Sequence, residues 1–199
     1  MIYDNLYWWF KEAVPKDICN KIIKAGLAAN VHTASLQNMD PKNLSKSDLK
    51  LLSKIRKTNI SFIHYKWIYD ILNPYIIEAN RNAKWNYSLI ESENCQFTIY
   101  NKNSFYDWHL DAYDIGTHPK TNRKISLVLN LSDPKDYEGG MLEFCSPVPN
   151  KKLKIFKAKE ILPQGSIAVF TSYTWHRVTP VTKGLRYSLV NWTIGDNLK

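Results

Sequence analysis

The 199-residue chain is 44% hydrophobic and 13% aromatic, which suits one domain with a substantial core and argues against disorder. Its net charge of +9 comes from lysines scattered along the chain, so a soluble basic surface is expected rather than a face for nucleic acid or another polyanion. Cys19, Cys95 and Cys145 form no CxxC pair, which argues against a disulfide framework or zinc knuckle, and no stretch approaches the roughly 18 apolar residues of a membrane span.

At the N-terminus, MIYDNLYWWFKEAVP has Asp4, no basic leader and no sustained apolar run, so it is a poor signal peptide and a cytoplasmic protein is expected. The abundance of Lys and Asn fits an AT-rich bacterial or viral genome, hence a bacterial cell or a virus-infected host cell. Residues 15–29 predict a helix: Pro15 fits its first turn, Asp17 its positive end, and Ile18, Ile22, Ile23 and Leu27 recur at helical spacing. Residues 45–57 and 61–82 are also predicted helical, the latter carrying Ile63, Trp67, Ile71, Tyr75 and Ile76, with Pro74 as a kink.

From about Trp85 the pattern turns to short alternating or β-branched runs at 95–100, 125–131, 141–144, 166–170 and 186–193. Gly139-Gly140 and Pro163-Gln164-Gly165 are the clearest turns, and Asp133 and Asp136 before Tyr137 read as turn chemistry. Lys151, Lys152, Lys154, Lys157 and Lys159 alternate with Leu153, Ile155 and Phe156, as in an edge strand guarded by charge. The expectation is one domain, 1–199, with helical support over about 1–84 and an antiparallel β core over about 85–199.

In WHLDAY, His109 and Asp111 are two apart, which on a strand turns both to one face and lets them share a cation. Alone this is weak, since such a His is more often an ordinary core or surface residue. TWHRVTPVTKGLRYS adds His176 in a later strand, with Arg186 ten positions on and Ser188 two beyond that. Two histidines and one carboxylate form the facial triad of non-haem Fe(II) oxygenases, with coordination positions left open. A 2-oxoglutarate can occupy two of these and O2 the last, while Arg186 and Ser188 face its far carboxylate; arginine is the planar, bidentate partner for such a group. His32, His64 and His118 lack partners at metal spacing, and Asp107 and Asp114 read as solvated neighbours.

Tyr100 nine before His109, then HLD, ISLVLNLSDPKDYEGGMLEF, ILPQGSIAVFTSYTWHRVTPV and GLRYSLVNW cover about half the chain in order. This stretch resembles the prolyl 4-hydroxylase-like branch of the 2-oxoglutarate oxygenases, especially the PKHD-type hydroxylases. The resemblance implies a mainly β fold with supporting α-helices: a double-stranded β-helix, the jelly-roll or cupin-like core of two antiparallel sheets. It implies His109, Asp111 and His176 as catalytic iron ligands and Arg186 as the anchor of the 2-oxoglutarate 5-carboxylate. Tyr100 becomes a donor in the co-substrate pocket, Asn130 a further pocket residue, and Trp192 a wall of the substrate mouth.

The cofactors so implied are Fe(II), 2-oxoglutarate and O2, with ascorbate as reductant. The substrate implied is an amino-acid side chain, foremost prolyl, in a peptide or protein, and Asp111 favours hydroxylation, because relatives that halogenate have Ala or Gly there. The chain departs from the family where glycines usually follow the tyrosine (here Asn101, Lys102 and Asn103) and at Met141, where an acidic residue commonly follows the Gly pair. Two alternatives stay open: an oxidative nucleic-acid demethylase, which typically has a second Arg where this chain has Trp192, and a non-catalytic cupin-like binding module. The oligomeric state is not set by the sequence.

Overall fold

A computed structural model describes residues 5–35, 45–113, 120–146 and 153–196. The early elements are β1 (Trp8–Phe10), α1 (Lys16–Ala28), β2 (His32–Thr33), α2 (Lys46–Ile55), β3 (Arg56–Lys57), β4 (Asn59–Ile63) and α3 (Lys66–Asn82). Then come β5 (Glu91–Ser92), β6 (Cys95–Tyr100), β7 (Phe105–His109), β8 (Thr121–Asn130), β9 (Tyr137–Gly139), β10 (Leu142–Ser146) and β11 (Lys154–Lys157). The last four are β12 (Ile167–Thr171), β13 (Trp175–Val178), β14 (Val181–Gly184) and β15 (Arg186–Asp196).

The strands form a large sheet in the order β1-β12-β8-β15-β6-β4-β2, with β5 beside β15, and a small sheet in the order β11-β10-β13-β7-β3. Every pairing in both is antiparallel, and β9 and β14 make a separate ribbon. This is the mainly β, two-sheet jelly-roll architecture expected above.

Alternation along the central strands decides what each face of the large sheet does. Phe97, Ile99, Ile125, Leu127, Leu129 and Leu189 point to one side and pack with Ile22 of α1 and Ile68, Leu72 and Ile76 of α3 in the main core. Each such buried side chain contributes roughly 1.5–3 kcal/mol. The register sets Arg186 against Tyr100, Ser188 against Thr98 and Asn130, Val190 against Gln96 and Val128, and Trp192 against Ser126. These residues take the opposite face, turned towards the small sheet. A second apolar cluster, with Phe144, Phe170, Ala168 and Val178, fills part of the space between the sheets.

Three expectations are corrected. The helix predicted from Ser61 starts at Lys66, and Ile60 to Ile63 instead belong to β4, paired with β6. Ile60, Ser61 and Ile63 are buried there while Phe62 is exposed, a half-buried strand pattern whose apolar residues also satisfy helical spacing. Asp111 lies beyond the end of β7 rather than on it. The first part of the chain is also not helical alone, since β1, β2 and β4 join the large sheet and β3 the small one. The lysine-rich edge is observed: β11 pairs with β10 and ends the small sheet. Lys151, Lys152, Asp114 and His118 lie outside the described residues.

Candidate functional site

β7 and β13 are neighbours in the small sheet, and their register places His109 opposite His176. The two rings are 4.1 Å apart between centroids. Asp111 is held by the turn between β12 and β13, where its backbone N–H donates to the Ser172 carbonyl at 3.0 Å. Its carboxylate then lies 3.7 Å from His109 Nε2 through Oδ1 and 3.4 Å from His176 Nε2 through Oδ2. One ligating atom from each residue falls within 4.8 Å of the others, so the trio can hold a metal ion.

Both rings are oriented for this. His109 Nδ1 donates to the Asp107 carbonyl at 2.7 Å and His176 Nδ1 to the Thr174 carbonyl at 2.9 Å, which assigns the ring protons to Nδ1 and leaves the Nε2 lone pairs for the trio. Burial, reinforced by His176, pushes the His109 imidazole down from its usual 6.5 to about 3. Burial alone would raise Asp111, but the His176 and His109 rings, Arg123 and the Ser126 hydroxyl outweigh it and hold the carboxyl at about 2. Two imidazole nitrogens and an ionised carboxylate suit Fe(II).

The trio opens into a cavity between the sheets, lined also by Gln96, Tyr100, Tyr106, Val128, Ser188 and Trp192. A surface groove of about 410 Å³ beside α3 and β5 is larger, but it is lined by residues such as Asn73, Ile77, Leu89 and Ile90 and contains none of the trio. At the inner end of β15, Arg186 is 2% exposed, and its Nε and Nη1 have no hydrogen-bond partner. Its guanidinium carbon lies 5.1 Å from the centroid of the Tyr100 ring. Gly140 makes room for it: a Cβ there would meet Arg186 Cδ at 2.9 Å. A buried guanidinium with two unsatisfied nitrogens and no counter-ion among the described residues is unfavourable unless an anion joins it, and the distal carboxylate of 2-oxoglutarate is such an anion. Burial raises the Tyr100 phenol, so it is a neutral donor at physiological pH, although Arg186 and Arg56 pull the other way.

Asn130 shares the inner face with Ser188, but its amide donates to the carbonyls of Ser132 at 3.1 Å and Leu162 at 2.7 Å, and it is not among the lining residues. Trp192 lines the cavity with a buried, unpartnered Nε1. Arg123 stacks on the Trp192 ring at 3.8 Å, is clamped by Glu93 at 2.7 and 2.6 Å, and donates to the Asp111 carbonyl at 3.4 Å. Tyr106 and the Arg123–Glu93 pair were not singled out from the sequence. Tyr106 and Arg123 come from separate strands and Glu93 from the connection between β5 and β6, with no motif to join them; the one local signal is the position of Tyr106 three before His109.

The sequence pattern of the 2OG-Fe(II) oxygenase superfamily matches residues 95–194. The chain belongs to this superfamily. Membership implies Fe(II), 2-oxoglutarate and O2. Among relatives, a PKHD-type hydroxylase of Synechococcus sp. (strain JA-2-3B'a(2-13)) is 36% identical over 96 residues, 48% of this chain and 40% of that protein. The match thus spans less than half of that relative's length. The viral collagen prolyl hydroxylase of Paramecium Bursaria Chlorella virus-1, solved with 2OG, superimposes with TM-score 0.67 at 18% identity, covering 96% of this chain and 97% of that one. A prolyl hydroxylase of Trichoplax adhaerens, solved with a hypoxia inducible factor oxygen degradation domain peptide fragment, gives 0.63 at 17% identity, covering 96% and 84%. At these identities the two structures share the fold. Among the described residues, no helix is long and apolar enough to cross a membrane.

Proposed function

We propose that this protein is an Fe(II)- and 2-oxoglutarate-dependent hydroxylase acting on an amino-acid side chain, foremost prolyl, of a peptide or protein. The observation that carries the reading is the pairing of the His109–Asp111–His176 trio with the buried Arg186, which has two unsatisfied nitrogens and lies beside Tyr100 of the same cavity. When bound, iron with 2-oxoglutarate and O2 supplies oxidation of a C–H bond to C–OH, with 2-oxoglutarate leaving as succinate and CO2. His109 and His176 would hold the metal from the small sheet, and Asp111 from the loop that follows β7. Arg186, with Ser188 and Tyr100, binds the co-substrate from the large sheet, and the apolar walls exclude water. Trp192, on the Arg123 platform, forms the substrate side.

The names of the structural neighbours support the prolyl assignment, and the peptide-bound Trichoplax adhaerens enzyme supports a peptide or protein substrate. Three free cysteines fit a cytoplasmic location. The test is anaerobic reconstitution with Fe(II) and 2-oxoglutarate, followed by O2 and a proline-containing peptide library. Succinate formed in step with a one-oxygen mass gain on peptides is expected. Metal binding without any 2-oxoglutarate turnover would overturn the assignment in favour of a binding module.

A further inference from the structure

Arg56 opens β3, the strand at the β7 edge of the small sheet, and the register sets it opposite Tyr106. Cross-strand partners share a face, so Arg56 stands on the side of the sheet where Tyr106 lines the cavity, against that ring rather than among the lining residues themselves. Its guanidinium carbon is 4.4 Å from the Tyr106 ring centroid, and that ring stacks on His109 at 3.5 Å with 10° between planes. Arg56 is 8% exposed; Nε donates to Thr58 Oγ1 at 2.9 Å, and Nη2 is buried without a partner.

In the loaded site proposed above, the two positive charges of Fe(II) and the one of Arg186 are offset by Asp111 and the two carboxylates of 2-oxoglutarate. Arg123 is already matched by Glu93. Arg56 has no counter-ion among the described residues, and a buried cation without one is unfavourable. The fixed fork of a guanidinium fits a carboxylate.

Resting on the hydroxylase reading, we infer that Arg56 forms a second anion-binding subsite, which takes a carboxylate carried by the substrate, so that acidic peptides are preferred. Protein loaded with Zn(II) and 2-oxoglutarate, which does not turn over, is titrated with peptide pools in which proline is flanked by Asp and Glu, and with matched pools carrying Asn and Gln. The wild type is expected to bind the acidic pool about 10- to 100-fold more tightly, the range of a charge-assisted hydrogen bond. Arg56→Gln loses that preference while keeping its affinity for 2-oxoglutarate, and Arg56→Lys retains part of it if the glutamine variant does not fold. Equal binding of the two pools by the wild type overturns the subsite. So does an Arg56→Gln variant that weakens 2-oxoglutarate binding and leaves pool selectivity intact, because Arg56 then serves the co-substrate. A wild type that turns over 2-oxoglutarate with Fe(II) yet hydroxylates neither pool defeats the prolyl reading, whereas the subsite is judged by binding alone.

Discussion

A histidine binds metal only through a deprotonated nitrogen, and at His109 the fold secures this by burial rather than by solution pH. The folded imidazole protonates near 3, whereas the same group in an unfolded chain does so near 6.5. Between these values unfolding takes up a proton, so stability falls as pH falls, and no loss from this group arises above pH 7.5. The metal-free protein is expected to lose about 1 kcal/mol through His109 alone between pH 7.5 and 5.5. Asp111 adds a further loss only in stronger acid, between its usual range and about 2. Urea unfolding at the two pH values should show the first loss in the wild type and less of it in His109→Gln; equal losses in both would contradict the burial argument. Asp111→Ala is expected to abolish succinate formation, since it leaves two neutral ligands, and undiminished turnover would sink the metal assignment. His109, Asp111, His176 and Arg186 were legible because their chemistry is written in residue type and short spacing. Arg56 and Arg123 were not, because each meets the site only through strand register, and Glu93 was not, because it reaches the site only through Arg123.

Between elements, the contact that supports this scaffold is α1 against the outer face of β6. Gly26 sits against Phe97 so closely that a Cβ would lie 2.2 Å from the ring, and the Gly26 carbonyl accepts the Ser61 hydroxyl at 2.7 Å. Gly26→Ala should therefore destabilise by about 1–3 kcal/mol through overpacking, although alanine is the better helix former. Adding Phe97→Leu should recover part of that loss in thermal unfolding; a Gly26→Ala protein as stable as wild type would show that the helix can slide. The helix itself was readable from Ile18, Ile22 and Ile23, but its docking was not, since nothing local announces which glycine faces which ring. The same limit explains β4. Its isoleucines, Ile60 and Ile63, suit a helix or a strand equally, and pairing with β6 decides the matter.

Across the whole molecule, the two sheets divide the labour of the proposed site. The metal trio stands at the His109 end of β7 and on β13 of the small sheet, while Arg186 and Ser188 stand on β15 of the large one. A 2-oxoglutarate held by the metal at one end and by Arg186 at the other would therefore tie the sheets together, and ligation should be read as stability. Mn(II) replaces iron for this purpose, because it tolerates the same ligands without redox chemistry. At a hundredfold excess over its dissociation constant, a ligand adds about 2.7 kcal/mol, which for a chain of this size is roughly 5–10 °C in Tm. Mn(II) alone should raise Tm, 2-oxoglutarate alone should raise it little, and the two together should exceed the sum. Arg186→Gln should keep the Mn(II) increment and lose the additional one. An additive response in the wild type, or a full synergistic shift in Arg186→Gln, would mean that the co-substrate does not span from the trio to Arg186.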